Sequence, residues 1–495
     1  MSTINRLVLA AAGGVFAAAA PAAGQSLFDA PFVPFNGPTS SSGTGDFDGD
    51  GLVEFVVSSS RMMIYAWDPD TNDLEGTEIV PQNFPGRGNR YGGDIVAGDV
   101  DGDGHVDLIV PNSNNGNGPG DVFWYRNPGY TGQLPGGVDH WDRTTIATWP
   151  NRNGDPDQRV AHMSEIEAGD LDADGDLDIV TRDIQQGVYV LRNNGDGTWD
   201  RRYVAVEPRE GLALLDPDGD GDLDIAINGV WIETPGTAAA PADWLTAPFT
   251  LHAYDADDPN GDNQYPTPGQ QGQQFAKKVM VSDMNGDGRT DIVVANSEQL
   301  FGSSGGGPKG IRVYLAPEPQ DAFDPWREII LQADEVDLED RFSLHTLQLR
   351  DLDFDGDVDI VSAITSVGQD NAPGHHFAMM NAGDGMHYAF RSIAQVGHAY
   401  NNVIGDVDGD GDAEMFGGGN FGNANIRFFR GISCRDGGRP CCQADLNGNG
   451  RVDLDDVVRF AAESPDLNGD GVVDRVDLWC LADGMSRHLG PTPGG

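Results

Sequence analysis

The chain has 495 residues, 79 of them Asp or Glu against 30 Lys or Arg, for a formal net charge of -49. A surface this acidic repels phosphate backbones and anionic lipid, which makes nucleic acid and membrane surfaces poor candidate partners, and past the N-terminus no apolar run is long enough to insert into a bilayer, so neither nucleic-acid binding nor membrane insertion is expected. All four cysteines, Cys434, Cys441, Cys442 and Cys480, lie near the C-terminus, so disulfides are expected there and not in the rest of the chain, in a pairing that spacing does not choose.

Residues 1–24 read as an export signal: Arg6 gives a positive start, residues 7–20 are apolar or small, and small residues precede Gln25. The expected location is therefore secreted, or associated with the cell surface.

Residues 26–432 are organised by one pattern, D-x-D/N-x-D-G-x-x-D/E, found seven times, from Asp46, Asp99, Asp170, Asp216, Asp283, Asp351 and Asp406. We call these loops 1 to 7 and number their positions from the first Asp. Carboxylates packed this closely oppose folding unless a cation lies among them; two of them about 4 Å apart repel by roughly 4 kcal/mol at an effective dielectric of about 20. The glycine at position six allows the reversal that turns the acids onto one point. Apolar alternation precedes each loop and a short apolar run follows it, as in Asp178-Ile179-Val180, so each loop is expected to join two strands. Val188-Tyr189-Val190-Leu191 reads as a third strand, and the Asn-Gly turn at 194–195 leads into a fourth.

Four strands per repeat and seven repeats predict an all-β, seven-bladed β-propeller, in which neighbouring blades bury faces that no blade buries alone. The seventh repeat lacks a fourth strand, and residues 26–35 are expected to supply it and remove a free edge. The Asp-rich loop, the Ile-Val strand and the Asn-Gly-Asp-Gly-Thr-Trp turn resemble the FG-GAP or VCBS-type repeat, whose members include the integrin α-subunit propeller. That resemblance implies calcium in the hairpin between the first and second strands of each blade.

Calcium suits these loops because it takes six to eight hard oxygen ligands, whereas zinc favours His or Cys. The expected ligands are Asp46, Asp48, Asp50 and Glu54; Asp99, Asp101, Asp103 and Asp107; Asp170, Asp172, Asp174 and Asp178; Asp216, Asp218, Asp220 and Asp224. The last three loops supply Asp283, Asn285, Asp287 and Asp291; Asp351, Asp353, Asp355 and Asp359; Asp406, Asp408, Asp410 and Glu414. The carbonyl at position seven would add a backbone ligand. Position twelve is not acidic, which separates these loops from EF-hands, and the ion's expected role is structural.

Residues 433–489 change character, and 490–495 read as a tail. Two further acidic loops, with Asp445, Asn447, Asn449, Asp453 and Asp456, then Asp466, Asn468, Asp470, Asp474 and Asp477, do carry an acid at position twelve, and each leads into a short helical pattern. Paired loops of this form resemble a dockerin, which implies a small α-helical calcium-binding domain, about nine calcium sites in all, and a cohesin-like or cell-surface partner. Positions ten and eleven, where that family commonly has Ser/Thr pairs, are Leu454-Asp455 and Arg475-Val476. The flanking cysteines would staple a module too small to rely on its core, and a paired EF-hand without a docking role is the alternative.

No nucleophile elbow, zinc-helix motif, phosphate loop or dinucleotide fingerprint is present. His162, His345 and His398 precede three of the loops on the strand expected nearest the axis, where they either line a central funnel or pack between blades. Trp124, Trp141, Trp149, Trp231 and Trp244 are sugar-stacking candidates or blade core. Two functions follow: a non-catalytic binding or adhesion module for a glycan or extracellular protein, or a polysaccharide-active lyase or hydrolase.

Overall fold

The computed structural model describes most of residues 32–430, omitting parts of several interstrand connections; residues 1–31 and 431–495 lie outside the described part. The expected signal segment and the whole C-terminal module, including its ten predicted ligands and four cysteines, therefore fall outside the described residues. The chain divides into two compact units, and the larger comprises 28–350 and 358–431. Among the described residues no helix is long and apolar enough to cross a membrane.

The larger unit is all β, arranged as seven antiparallel blades. β1 (Phe32–Phe35) opens the chain. Blade 1 is β2 (Ser41–Gly45), β3 (Glu54–Ser58), β4 (Met62–Asp68) and β5 (Asp73–Val80); blade 2 is β6 (Val96–Gly98), β7 (Asp107–Asn112), β8 (Gly120–Arg126) and β10 (Asp142–Trp149). Between β8 and β10 the chain returns to blade 1, where β9 (Gly137–Val138) adds a fifth, parallel strand beside β5. Blade 3 is β11 (Met163–Gly169), β12 (Asp178–Asp183), β13 (Gly187–Asn193) and β14 (Trp199–Val204). Blade 4 is β15 (Ala213–Leu215), β16 (Asp224–Ile227), β17 (Val230–Glu233) and β18 (Thr250–Ala253). Blade 5 is β19 (Ala276–Ser282), β20 (Asp291–Asn296), β21 (Gly310–Leu315) and β22 (Arg327–Leu331). Blade 6 is β23 (Ser343–Arg350), β24 (Asp359–Thr365), β25 (His375–Asn381) and β26 (Tyr388–Gln395). Blade 7 is β27 (Asn401–Gly405), β28 (Glu414–Gly418), β29 (Ile426–Phe429) and, from the other end of the unit, β1. That last pairing aligns Phe32 with Phe428 and Phe35 with Ile426, so N-terminal residues supply the fourth strand of blade 7 and close the ring.

The first strands touch in the cyclic order β2, β6, β11, β15, β19, β23, β27 and back to β2, so they form the inner wall. Alternation along each second strand sends neighbouring residues to opposite sides of the blade. Val56 packs with blade 2 while Phe55 and Val57 pack with blade 7; Ile179 packs toward blade 2 and Val180 toward blade 4. The core is therefore a series of layers between blades. Its larger buried aromatics include Trp149, Tyr189, Trp231, Tyr254 and Tyr314, so Trp149 and Trp231 serve packing.

Candidate metal-binding loops

Each Asp-rich loop sits in the hairpin between the first and second strand of its blade, and its backbone shape follows from local chemistry. The Oδ2 of the first Asp accepts the N–H of the sixth-position glycine in six loops, at 3.0 Å for Asp46, 2.8 Å for Asp99, 3.0 Å for Asp170, 3.1 Å for Asp216, 2.8 Å for Asp283 and 3.0 Å for Asp351. Those glycines, Gly51, Gly104, Gly175, Gly221, Gly288 and Gly356, have φ between 86° and 97°, a region that costs other residues energy. The reversal turns the carboxylates inward.

Three acids converge in five of the loops, with one oxygen of each within 4.8 Å of the others: Asp46, Asp48 and Asp50; Asp99, Asp101 and Asp107; Asp170, Asp172 and Asp178; Asp216, Asp218 and Asp220; Asp406, Asp408 and Glu414. Loop 5 gathers no such trio, because Asn285 stands at position three, bonding Asp287 at 2.9 Å, and Asp287 also pairs with Arg289. In loop 6 Asp353 and Asp355 lie outside the described residues, as does Asp410 of loop 7.

The ninth-position acid has a second task. Its carboxylate accepts the N–H of position two in loops 1, 2, 3, 5 and 7: Glu54 from Phe47 at 2.7 Å, Asp107 from Val100 at 3.2 Å, Asp178 from Leu171 at 3.0 Å, Asp291 from Met284 at 2.8 Å and Glu414 from Val407 at 3.1 Å. In blades 2 to 6 the other oxygen accepts an N–H beside or at the end of the third strand, from Asn127, Asn193, Thr234, Ala316 or Asn381, at 2.7 to 2.8 Å. Burial pushes these acids up, Glu54 to about 8, Asp178 to about 7 and Asp224 to about 9, while the backbone N–H groups oppose the shift. In loops 1 and 4, burial and the neighbouring acids also raise Asp48 and Asp218.

Buried carboxylate oxygens in these loops that accept no hydrogen bond include Asp172 Oδ1, Asp218 Oδ1 and Asp224 Oδ2. Such an acceptor costs about 1–3 kcal/mol if left unmet. An ion bound by oxygen alone would meet it, and with neither His nor Cys among the converging groups the donor set fits a hard cation.

The motif spacing does not announce the asparagines. Nδ2 of Asn127 donates to Phe47 O at 2.8 Å, that of Asn193 to Val100 O at 3.2 Å and that of Asn381 to Met284 O at 2.6 Å, each tying a third strand to the loop of the preceding blade. Their sequence signal is an Asn-x-Gly just past the third apolar run, in Asn127-Pro128-Gly129, Asn193-Asn194-Gly195 and Asn381-Ala382-Gly383. Of the expected funnel histidines, His345 lies on the innermost strand of blade 6, whereas His162 and His398 fall outside the described residues. The described ionisable cluster on the inner strands is a different one: Lys278 of β19 pairs with Asp94, just ahead of β6, and Glu167 of β11 is pushed up to about 8 by burial and by Asp94.

Residues 46–110 and 170–227 match the model of the FG-GAP-like repeat. These segments are FG-GAP-like repeats. They span loops 1 to 4 and reach into the second strand of each of those blades, and loops 5 to 7 repeat their spacing around the rest of the seven-bladed ring. No curated protein matches the chain.

Proposed function

We propose that this is an exported, calcium-binding FG-GAP-type propeller that acts as a non-catalytic binding module for a glycan or an extracellular protein, tethered through its dockerin-like C-terminal segment. The observation that carries the calcium reading is the convergence of three carboxylates in loops 1 and 4, Asp46, Asp48 and Asp50 and then Asp216, Asp218 and Asp220, with no basic side chain paired to any of them among the described residues. In loops 2, 3 and 7 the ligands would be Asp99, Asp101 and Asp107, Asp170, Asp172 and Asp178, and Asp406, Asp408 and Glu414. The bound ion supplies positive charge and coordination to oxygens that otherwise repel one another, and so fixes the hairpin between first and second strands.

The binding role rests on the architecture: the loops that join strands can vary on a ring whose blades are locked by apolar layers and Asn ties. A second reading, a polysaccharide-cleaving enzyme, draws on the Asp94, Lys278 and Glu167 cluster at the inner strands. Isothermal titration of chelator-stripped protein with calcium tests the metal reading, and heat-free injections across micromolar to millimolar calcium would refute it. A glycan array run beside polysaccharide cleavage assays separates binding from catalysis; turnover lost in Glu167→Gln would favour the enzyme.

A further inference from the structure

Some loops already contain a cation of the protein's own. Arg126, ending β8, places Nε 2.7 Å from Asp101 and Nη2 2.8 Å from Asp103. Arg192, in β13, pairs with Asp172 and reaches Asp174 at 2.9 Å, and Arg430, just past β29, reaches Asp408 at 2.9 Å. These three arginines stand at one structural position. The residue before each pairs with position ten of the loop's own hairpin: Tyr125 with Leu108, Leu191 with Ile179 and Phe429 with Met415. In blade 1 the same register pairs Tyr65 with Phe55 and in blade 4 Ile232 with Ile225, so the position falls to Ala66 and Glu233.

The acids follow this division. Without the arginine, the converging trio is positions one, three and five, as in Asp46, Asp48 and Asp50 or Asp216, Asp218 and Asp220. With it, the trio is positions one, three and nine, as in Asp99, Asp101 and Asp107 or Asp170, Asp172 and Asp178. Position five is then held by the guanidinium, Asp103 by Arg126 and Asp174 by Arg192. Loop 5 reaches a related end by another route, through Arg289 at its own position seven, paired with Asp287.

We propose that Arg126, Arg192 and Arg430 are built-in counter-cations that divide the propeller's loops into two calcium classes: loops 1 and 4 bind tightly and depend on the ion for their shape, whereas loops 2, 3 and 7 bind more weakly and keep their shape without it. The proposal rests on the calcium reading above. A guanidinium at positions three and five contributes a positive charge that an incoming ion must face, and it engages carboxylate oxygens the ion would otherwise take. The same charge offsets repulsion among the acids when calcium is scarce. As calcium falls, blades 1 and 4 lose their hairpin geometry before blades 2, 3 and 7 do.

Arg126 is half exposed, so Arg126→Met keeps its packing surroundings and the fold, with Arg430→Met as the second variant. Full-length protein is stripped of metal, titrated with calcium calorimetrically, and melted in chelator. The wild type should show two affinity classes. In Arg126→Met one site should leave the weak class and join the tight one, its affinity rising at least about tenfold, equivalent to about 1.4 kcal/mol. The melting temperature in chelator should fall. Arg61→Met, which removes a charge paired with Glu78 away from any loop, should leave the classes unchanged. Calcium binding in a single class, or an unchanged affinity in both arginine variants, would overturn the division of the loops while leaving the calcium reading intact. A wild type that binds no calcium would overturn both.

Discussion

In loop 1 the carboxylates of Asp46, Asp48 and Asp50 face one another with no basic partner among the described residues, while in loop 3 the equivalent Asp172 and Asp174 are held by Arg192. The ninth positions differ as well: Glu54 accepts one backbone N–H, from Phe47, whereas Asp178 accepts two, from Leu171 and Asn193. Where blade 3 has Asn193 tied to blade 2, blade 1 has Trp67 stacked on Phe428 and lying beneath Arg430 of blade 7. The two loops share a spacing and a backbone turn, yet one is organised by hydrogen bonds and an internal cation and the other leaves its charge for something else to neutralise. A repeat motif thus fixes the shape of a site without fixing its electrostatics.

The largest effect expected from that contrast is at the ninth position. In chelator, Asp178→Ala strands two buried N–H groups and should destabilise the protein by about 2–5 kcal/mol, whereas Glu54→Ala, which strands one, should cost about half as much. Denaturant unfolding of the two variants measures the difference, and equal losses would break the comparison. Next in size is Asn193→Ala, which removes the tie to Val100 and should cost about 1–2 kcal/mol by the same measurement, with no dependence on calcium.

A change of sign gives a sharper test than a change of size. Asp48→Asn removes one of three mutually repelling acids and should raise the melting temperature in chelator by about 1–3 °C, while Asp172→Asn weakens the pairing with Arg192 and should lower it by a similar amount. Shifts of the same sign in chelator would contradict the distinction between the loops.

The smallest expected effect is on pH dependence. Glu54, Asp178 and Asp224 titrate above the ordinary carboxylate range, so the folded chain holds protons that the unfolded chain releases. Their contribution to calcium-free stability is complete below about pH 4 and is lost as pH rises through about 7 to 9. Melting in chelator should therefore fall gradually from pH 5 to pH 9, and a rise over that interval would contradict the assignment.

The blades were legible because each loop is a local signal: Asp at positions one and five, Asp or Asn at three and Gly at six specify a turn within nine residues, and the apolar runs on either side specify strands. Closure by residues before the first loop was legible too, from the missing fourth strand of the last blade, and β1 pairs with β29 there. The arginines and asparagines were not. Arg192 matters through the register that sets Leu191 opposite Ile179, and Asn193 through a carbonyl in another blade, Val100, neither of which a local pattern encodes. The return of β9 to blade 1 was equally hidden, since two residues in parallel beside β5 leave no periodic trace.

Differential scanning calorimetry of the metal-free protein, in chelator and in millimolar calcium, tests the central claim most directly. A site with a dissociation constant near 10 μM contributes about 2.7 kcal/mol at millimolar calcium if the unfolded chain binds weakly, so two tight sites alone amount to a large share of the roughly 5–15 kcal/mol that holds a domain folded. The account predicts a melting temperature several degrees higher in calcium, with the calcium-free protein still cooperatively folded wherever an arginine supports the loop. The same melting temperature in chelator and in calcium, once bound metal has been shown absent, would contradict it.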